Sequence, residues 1–219
     1  MIRLACLDMA GTTVRDAGIV EAAFQEAMSV VGLDAGELPA ALEQVHRTMG
    51  LPKEVVFREV LGDEGRAREA VRAFDVAILR EVGRGEVQPI EGAEDAIHTM
   101  RAAGVAVCLT TGFTAEVQAA IVEVLGWRDI VDLVLCPSPG IRGRPHPDLV
   151  LTAVLCLEID DVRDVAVVGD TANDLLAGHR AGASIIAGVL TGAHRREELE
   201  AAPHTHVLDS ITALPAILR

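Results

Sequence analysis

The sequence has no tyrosine, one tryptophan and four phenylalanines. Lys53 is its only lysine, so 18 of the 19 cationic residues are arginine. Acidic residues number 33 against those 19, a formal net charge of −14. An acidic chain with no basic cluster and few aromatics lacks the groups that neutralise phosphates and stack on bases, which argues against nucleic acid as a partner. The same charge argues against an anionic membrane surface. No apolar run approaches the ~20 residues needed to cross a bilayer. The opening Ile2-Arg3-Leu4-Ala5-Cys6-Leu7 runs straight into polar residues without a signal-peptide pattern, and the expected location is the cytoplasm. Cysteine is sparse: Cys6, Cys108, Cys136 and Cys156 are far apart, and three of them lie in apolar strand-like runs. Neither a disulfide framework nor a CxxC metal pair is expected from them; buried cysteines behave as small hydrophobes.

What is present alternates. Short β-type runs at Ile2–Leu7, Val105–Thr110, Leu133–Cys136, Val165–Val168 and Ile185–Leu190, with a weaker one at His206–Leu208, are interleaved with helical patterns near Glu91–Ala103, Ala115–Val124, Pro147–Leu157 and Ala172–Ala181. That order predicts an α/β fold with a doubly wound, Rossmann-like parallel sheet. The first strand breaks the rhythm, because the next sheet strand begins only at Val105. Between them Val20, Phe24, Ala27, Met28 and Val31, and later Val71, Phe74, Ile78 and Val82, recur at helical spacing. Breaks at Leu33–Gly36 and Leu61–Gly65 divide the helices. The reading is a core of residues 1–15 and 88–219 with a helical insert over residues 16–87.

In an open parallel sheet, functional groups gather past the carboxyl ends of the strands. Here those ends carry Asp8-Met9-Ala10-Gly11-Thr12-Thr13-Val14, Thr110-Thr111-Gly112 and Gly169-Asp170-Thr171-Ala172-Asn173-Asp174, and a loop after the third strand carries Gly143-Arg144-Pro145-His146-Pro147. Asp8 and Asp170 at adjacent ends form a negative site that repels itself unless a hard cation such as Mg²⁺ bridges it, with Asp174 in support. Thr111 and Arg144 supply a hydroxyl and a fixed cation for a phosphoryl-type anion. The backbone N–H groups of Gly11 and Thr12 are expected to face the same anion.

These four segments resemble the four motifs of the haloacid dehalogenase superfamily, and the insert resembles its first-position (C1-type) cap; the resemblance runs the length of the chain. It implies that Asp8 is the nucleophile forming an aspartyl-phosphate, that Thr111 and Arg144 bind the phosphoryl group, and that Asp8, the Ala10 carbonyl and Asp170 ligate Mg²⁺ with Asp174 supporting them.

Two positions narrow the reaction. Most phosphatases of the superfamily carry a second aspartate two residues after the nucleophile, which protonates the leaving alkoxide; here that residue is Ala10. An ester phosphatase without its general acid loses about 10²–10⁴ in rate. Asp-x-Ala-Gly-Thr-Thr-Val together with an arginine in the third motif is similar to the phosphonoacetaldehyde hydrolase (phosphonatase) branch. In that branch a Met-Gly-x-x-Lys segment of the cap supplies a Schiff-base lysine, and this chain reads Met49-Gly50-Leu51-Pro52-Lys53. A C–P bond has no oxygen leaving group to protonate; its cleavage needs an electron sink, which a protonated imine on Lys53 provides. Arginine cannot do this, since it does not give up its proton. The candidate site is therefore Asp8, Lys53, Thr111 and Arg144, with Gly11, Thr12, Met49, Gly50 and Gly112 against the substrate. Gly50 and Pro52 predict a helix starting at Lys53 whose positive end lowers the amine pKa; the alternative is a surface lysine at a helix start.

The branch has a histidine three residues after the lysine, a tyrosine after Thr-Thr-Gly and a tryptophan after the nucleophile, where this chain has Val56, Phe113 and Met9. These departures leave open which 2-oxoethylphosphonate is used. The expected partner is a small phosphonate or phosphate, and members of the superfamily often pair through the cap, which makes a homodimer the expected assembly. Two other readings remain: a phosphomonoesterase of phosphoglycolate phosphatase type, and a phosphate-ligand binding protein without turnover. His46, seven residues before Lys53, reads as an exposed helix histidine or as a proton-transfer group of the insert; His146 and His179 flank the third and fourth motifs, as structural residues or as part of the site wall; His98, His194, His204 and His206 show no ligand spacing.

Overall fold

The computed structural model describes residues 1–218. Its strands are β1 (Leu4–Asp8), β2 (Ala106–Thr110), β3 (Leu133–Leu135), β4 (Val165–Gly169), β5 (Ile185–Val189) and β6 (His206–Leu208). They form one parallel sheet in the order β3-β2-β1-β4-β5-β6. The expected runs all become strands; β1 starts two residues later, β2, β3 and β5 lose one residue, and β1 and β4 each run one residue further, to Asp8 and Gly169. β1 and β4 are buried at every position, as central parallel strands covered on both faces must be. Successive side chains alternate between faces. Ala5, Leu7, Val107 and Leu109 join one core, while Leu4, Cys6 and Cys108 join another with Val150, Ala153 and Val154. Cys6 and Cys108 are thus packing residues, and all four cysteines are free.

Register decides which ends are level. Asp8 pairs with Thr110, and Leu7 with Val168, so the residues that follow β1, β2 and β4 emerge at one edge. Past β1 the chain turns tightly: the Met9 carbonyl accepts the N–H groups of Thr12, Thr13 and Val14 at 3.2, 2.9 and 2.8 Å. It then enters four helices, α1 (Ile19–Val30), α2 (Leu38–Arg47), α3 (Lys53–Leu61) and α4 (Glu64–Arg84). The outgoing and returning segments lie side by side, with Arg15 N–H donating to Gln88 O at 2.8 Å and Ile90 N–H to Thr13 O at 2.9 Å. Helix α1 buries Val20, Phe24, Ala27 and Met28, and α4 buries Val71, Phe74, Ile78 and Val82. These are the stripes read from the spacing; Val31 instead ends α1. Both stripes belong to the same cluster as one face of the sheet.

The remaining helices are α5 (Ala93–Ala102), α6 (Ala115–Val124), α7 (Asp148–Cys156), α8 (Ala172–Ala181), α9 (Arg196–Glu200) and α10 (Leu214–Ile217). Among the described residues no helix is long and apolar enough to cross a membrane.

The turn between α3 and α4 is built from two local devices. Gly62 ends α3 in a left-handed conformation, and Asp63 caps α4 by accepting the Arg66 N–H at 2.7 Å. Asp63→Ala removes the acceptor from an exposed helix start. It is expected to destabilise the protein by about 1 kcal/mol, read as a small fall in the thermal unfolding midpoint; an unchanged midpoint would mean that solvent replaces this cap.

Candidate active site

The loops past β1, β2 and β4 and the start of α3 close around a cavity of about 40 Å³, room for only about three water molecules. Asp8, Ala10, Thr111, Arg144 and Asp170 wall it from the core side. Met49, Gly50 and Lys53 wall it from the insert, and Gly112 joins the two. Gly11, Thr12 and Asp174 stand one layer behind.

The seam between insert and core is a close backbone approach. Lys53 N–H donates to Gly112 O at 3.3 Å, and the Asn173 side chain donates to Met49 O at 2.7 Å. A Cβ on Gly112 would lie 2.6 Å from Leu51 O, and one on Gly50, where φ is +85°, would collide with Thr171 Oγ1. Side chains at these two positions would hold the seam open.

Three buried carboxylates meet one buried guanidinium. Arg144 Nη1 donates to Asp8 Oδ1 at 2.5 Å and to Asp174 Oδ1. Asp174 Oδ2 also accepts the N–H and hydroxyl of Thr171 at 3.2 and 2.5 Å, so this residue caps α8 while holding the arginine. Asp170 accepts the Ala193 N–H at 2.6 Å and the Thr12 hydroxyl at 3.4 Å. Burial, opposed by Arg144 and reinforced by Asp174, pushes Asp8 up to about 6. Burial, together with Asp8 and Asp174, drives Asp170 well above the usual carboxylate range. Burial disfavours the charge on Arg144, but Asp174 and Asp8 more than offset it and the guanidinium stays ionised.

That donor set suits a hard cation: two mutually repelling buried carboxylates with the Ala10 backbone on the same wall. Among the described residues no three His, Cys, Asp or Glu side chains gather to hold a metal by themselves. A seat of one or two carboxylates completed by substrate and water oxygens is the pattern of Mg²⁺.

Gly11 and Thr12 require a correction. Their N–H groups were expected to face the anion, but Gly11 N–H donates to Val14 O at 2.8 Å and Thr12 N–H to Met9 O at 3.2 Å. The tight turn consumes both amides, and the part Thr12 plays is its hydroxyl on Asp170.

Lys53 is the first residue of α3 and is 7% exposed. Its Nζ lies 5.2, 5.5 and 5.3 Å from the ring centroids of Phe24, Phe74 and Phe113. Phe57 packs on Phe24 and Phe74 at 5.0 and 6.0 Å. Three of the four phenylalanines therefore cage the one lysine, and the fourth, Phe57, backs two of them. Burial first and Arg144 second lower the amine to about 8, against the opposing pull of Asp8, Asp16 and Asp170. The lowered amine expected from the helix start has desolvation as its leading cause.

Sequence reasoning missed Asp16 and Val20 on the cavity wall, because a carboxylate among 33 and a valine on an apolar stripe carry no signal. It also missed the seam contact formed by His46, whose Nε2 is 3.6 Å from Glu198 and whose ring centroid is 5.7 Å from that of His194. His46, His146 and His179 do not line the cavity.

Comparison with known proteins shows the family and the fold. Residues 2–182 match a family model described as "Hydrolase: haloacid dehalogenase-like hydrolase". The chain is 28% identical over 215 residues to "Probable phosphatase IndB" of Dickeya dadantii, covering 95% of this chain and 90% of that one. It is 27% identical over 259 aligned positions to a "Phosphonoacetaldehyde hydrolase" of Lactiplantibacillus plantarum, covering 99% and 95%. Among solved structures, a hydrolase from Pseudomonas syringae superposes with a TM-score of 0.86 at 21% identity over 99% and 97% of the two chains. A predicted phosphoglycolate phosphatase from Haemophilus somnus gives 0.82 at 15% over 100% and 98%. At these identities the structures speak to the fold alone.

Because Lys53 is the only ε-amine, its acylation can be followed by mass without interference from other lysines. The midpoint of its reactivity is expected at about pH 8, below the ordinary lysine value of about 10.4. In Phe74→Ala water reaches the amine, desolvation weakens, and the midpoint moves upward. An ordinary midpoint in the unmodified protein would show that the amine does not feel its burial.

Proposed function

Because this chain belongs to the haloacid dehalogenase-like hydrolases, we propose that it cleaves the C–P bond of phosphonoacetaldehyde or a related 2-oxoethylphosphonate. The observation that carries the reading is the single lysine. Its amine is buried in a phenylalanine cage and lines the same cavity as Asp8, in a chain whose Ala10 cannot protonate an alkoxide. The relatives named phosphonoacetaldehyde hydrolase lend support.

The chemistry divides between the two sides of the cavity. From the insert, Lys53 as a neutral amine condenses with the substrate aldehyde to an iminium. From the core, Asp8 attacks phosphorus, the C–P bond breaks, and its electron pair neutralises the iminium to an enamine. Water then hydrolyses the aspartyl-phosphate, and the enamine is protonated and hydrolysed to release the aldehyde. Arg144, steadied by Asp174, and Thr111 hold the phosphoryl oxygens. Mg²⁺ held by Asp8, Asp170 and the Ala10 carbonyl would supply further positive charge against those oxygens. A cavity of about 40 Å³ is too small to admit such a substrate as it stands. Helices α1 to α4, residues 16–87, act in this reading as a cap that swings on the paired segments near Arg15 and Gln88.

The second reading, a phosphomonoesterase, is favoured by the relative named probable phosphatase. Borohydride reduction in the presence of phosphonoacetaldehyde separates the two. C–P cleavage through an imine predicts permanent inactivation with an ethyl or phosphonoethyl increment on Lys53, and loss of turnover in Lys53→Arg. Hydrolysis of phosphate esters that survives Lys53→Arg, with no trapped adduct, would overturn it in favour of the esterase. Binding of phosphonate or phosphate without turnover of either class would point to a non-catalytic protein.

A further inference from the structure

Imine chemistry needs a proton at two points that neither Asp8 nor Lys53 supplies. The hydroxyl of the first adduct, a carbinolamine, must be protonated to leave as water. The water that later attacks the product iminium must lose a proton. The amine's immediate surroundings offer little for either transfer. Phenylalanine rings face Nζ on three sides, and Val56 is buried one turn along α3.

The titratable side chains that reach the cavity are Asp8, Asp16, Lys53, Arg144 and Asp170. Asp8 takes the phosphoryl group and Lys53 is the amine. Arg144 does not release a proton, and Asp170 is bound to the Ala193 N–H and the Thr12 hydroxyl. Asp16 is left. It lies between β1 and α1, half-buried, with Oδ1 accepting the Val20 N–H at 3.2 Å. That bond anchors the carboxyl at the head of α1, and among the described residues Oδ2 makes no hydrogen bond. The same helix sets Val20 on the cavity wall and Phe24 against the amine, so carboxyl and cage are positioned together.

We propose that Asp16 is the proton donor and acceptor of the imine steps at Lys53. The Asp16 carboxylate takes a proton from the Lys53 ammonium, which frees the amine to attack the aldehyde, and then gives that proton to the carbinolamine hydroxyl. The C–O bond breaks, water departs, and the nitrogen lone pair forms the C=N bond of the iminium. After C–P cleavage, the proton released when water hydrolyses the aspartyl-phosphate is taken up by the enamine carbon. Water then adds to the product iminium, the Asp16 carboxylate accepts the proton of that water, and the amine and aldehyde separate. Asp16 returns that proton to the freed amine, so both residues end as they began, and no outside oxidant or reductant enters. This inference rests on the Schiff-base reading of Lys53.

The test uses acetaldehyde, which lacks the phosphono group and so isolates the imine steps from Asp8. The rate of borohydride trapping on Lys53 is measured in the unmodified protein and in Asp16→Asn, whose amide oxygen can still accept the Val20 N–H. Trapping is expected to slow by about 10²–10⁴-fold in Asp16→Asn. Added formate should restore its rate in proportion to concentration without affecting the unmodified protein, and Asp16→Glu should recover part of it. A purely structural role would not respond to formate. Trapping of Asp16→Asn at the unmodified rate, or a slowed rate that neither formate nor Asp16→Glu improves, overturns the assignment while leaving the Schiff base intact. Failure to trap the unmodified protein overturns both. Should Asp16→Asn not fold by circular dichroism, Asp16→Ser, with a hydroxyl for the same N–H, carries the comparison with the same outcomes.

Discussion

Lys53 holds its amine 5.2 to 5.5 Å from three phenylalanine ring centroids, and most of the site's geometry serves to keep it there. Lowering the amine from 10.5 to about 8 favours the neutral form by roughly 3 kcal/mol. An amine at about 8 lies near the boundary between charged and neutral, which suits a group that loses a proton and regains it. The burial exists only while the insert lies against the core. That contact in turn depends on Gly50 and Gly112, where backbone approaches too closely for a side chain, and on the bonds from Lys53 N–H and Asn173 across the seam.

On the other wall the problem is one of sign. Asp8, Asp170 and Asp174 are all less than 5% exposed, and among them stands a single guanidinium. One fixed cation cannot balance three carboxylates, and the excess appears in the raised Asp8 and Asp170. Asp174 resolves its share by accepting from Thr171 and Arg144, which converts a potential metal ligand into the bracket that aims the arginine. What stays uncompensated is the pair Asp8 and Asp170 beside Ala10. In the proposed reaction a cation held there would, with Arg144, ready the cavity for an anionic substrate that the acidic surface of the chain would otherwise repel.

Chain direction accounts for why so much of this was legible. In a parallel sheet the residues after each strand emerge on one edge. Placing Asp8, Thr111 and Asp170 after three apolar runs was enough to place them together, and register made them level. The glycine, proline and lysine of the Met49–Lys53 segment likewise marked a helix start. Gly11 and Thr12 were misjudged because residue type does not say where an amide points; the turn on the Met9 carbonyl decides that. Asp16 was invisible because an acidic residue beside a helix is ordinary in so acidic a chain.

The alternation of runs determined the α/β class, the long gap after the first strand determined a helical insert, and the motifs with their Ala10 and single lysine determined the chemistry worth considering. Those features are local, set by neighbours within a turn or a strand. Tertiary structure alone decided that three phenylalanines from two helices and a loop would converge on one amine, that Asp174 would hold an arginine, and that Asp16 would face the cavity. Each of these depends on how the insert folds back over the sheet, a long-range packing choice made by burial and close backbone contact, which no short stretch of sequence records.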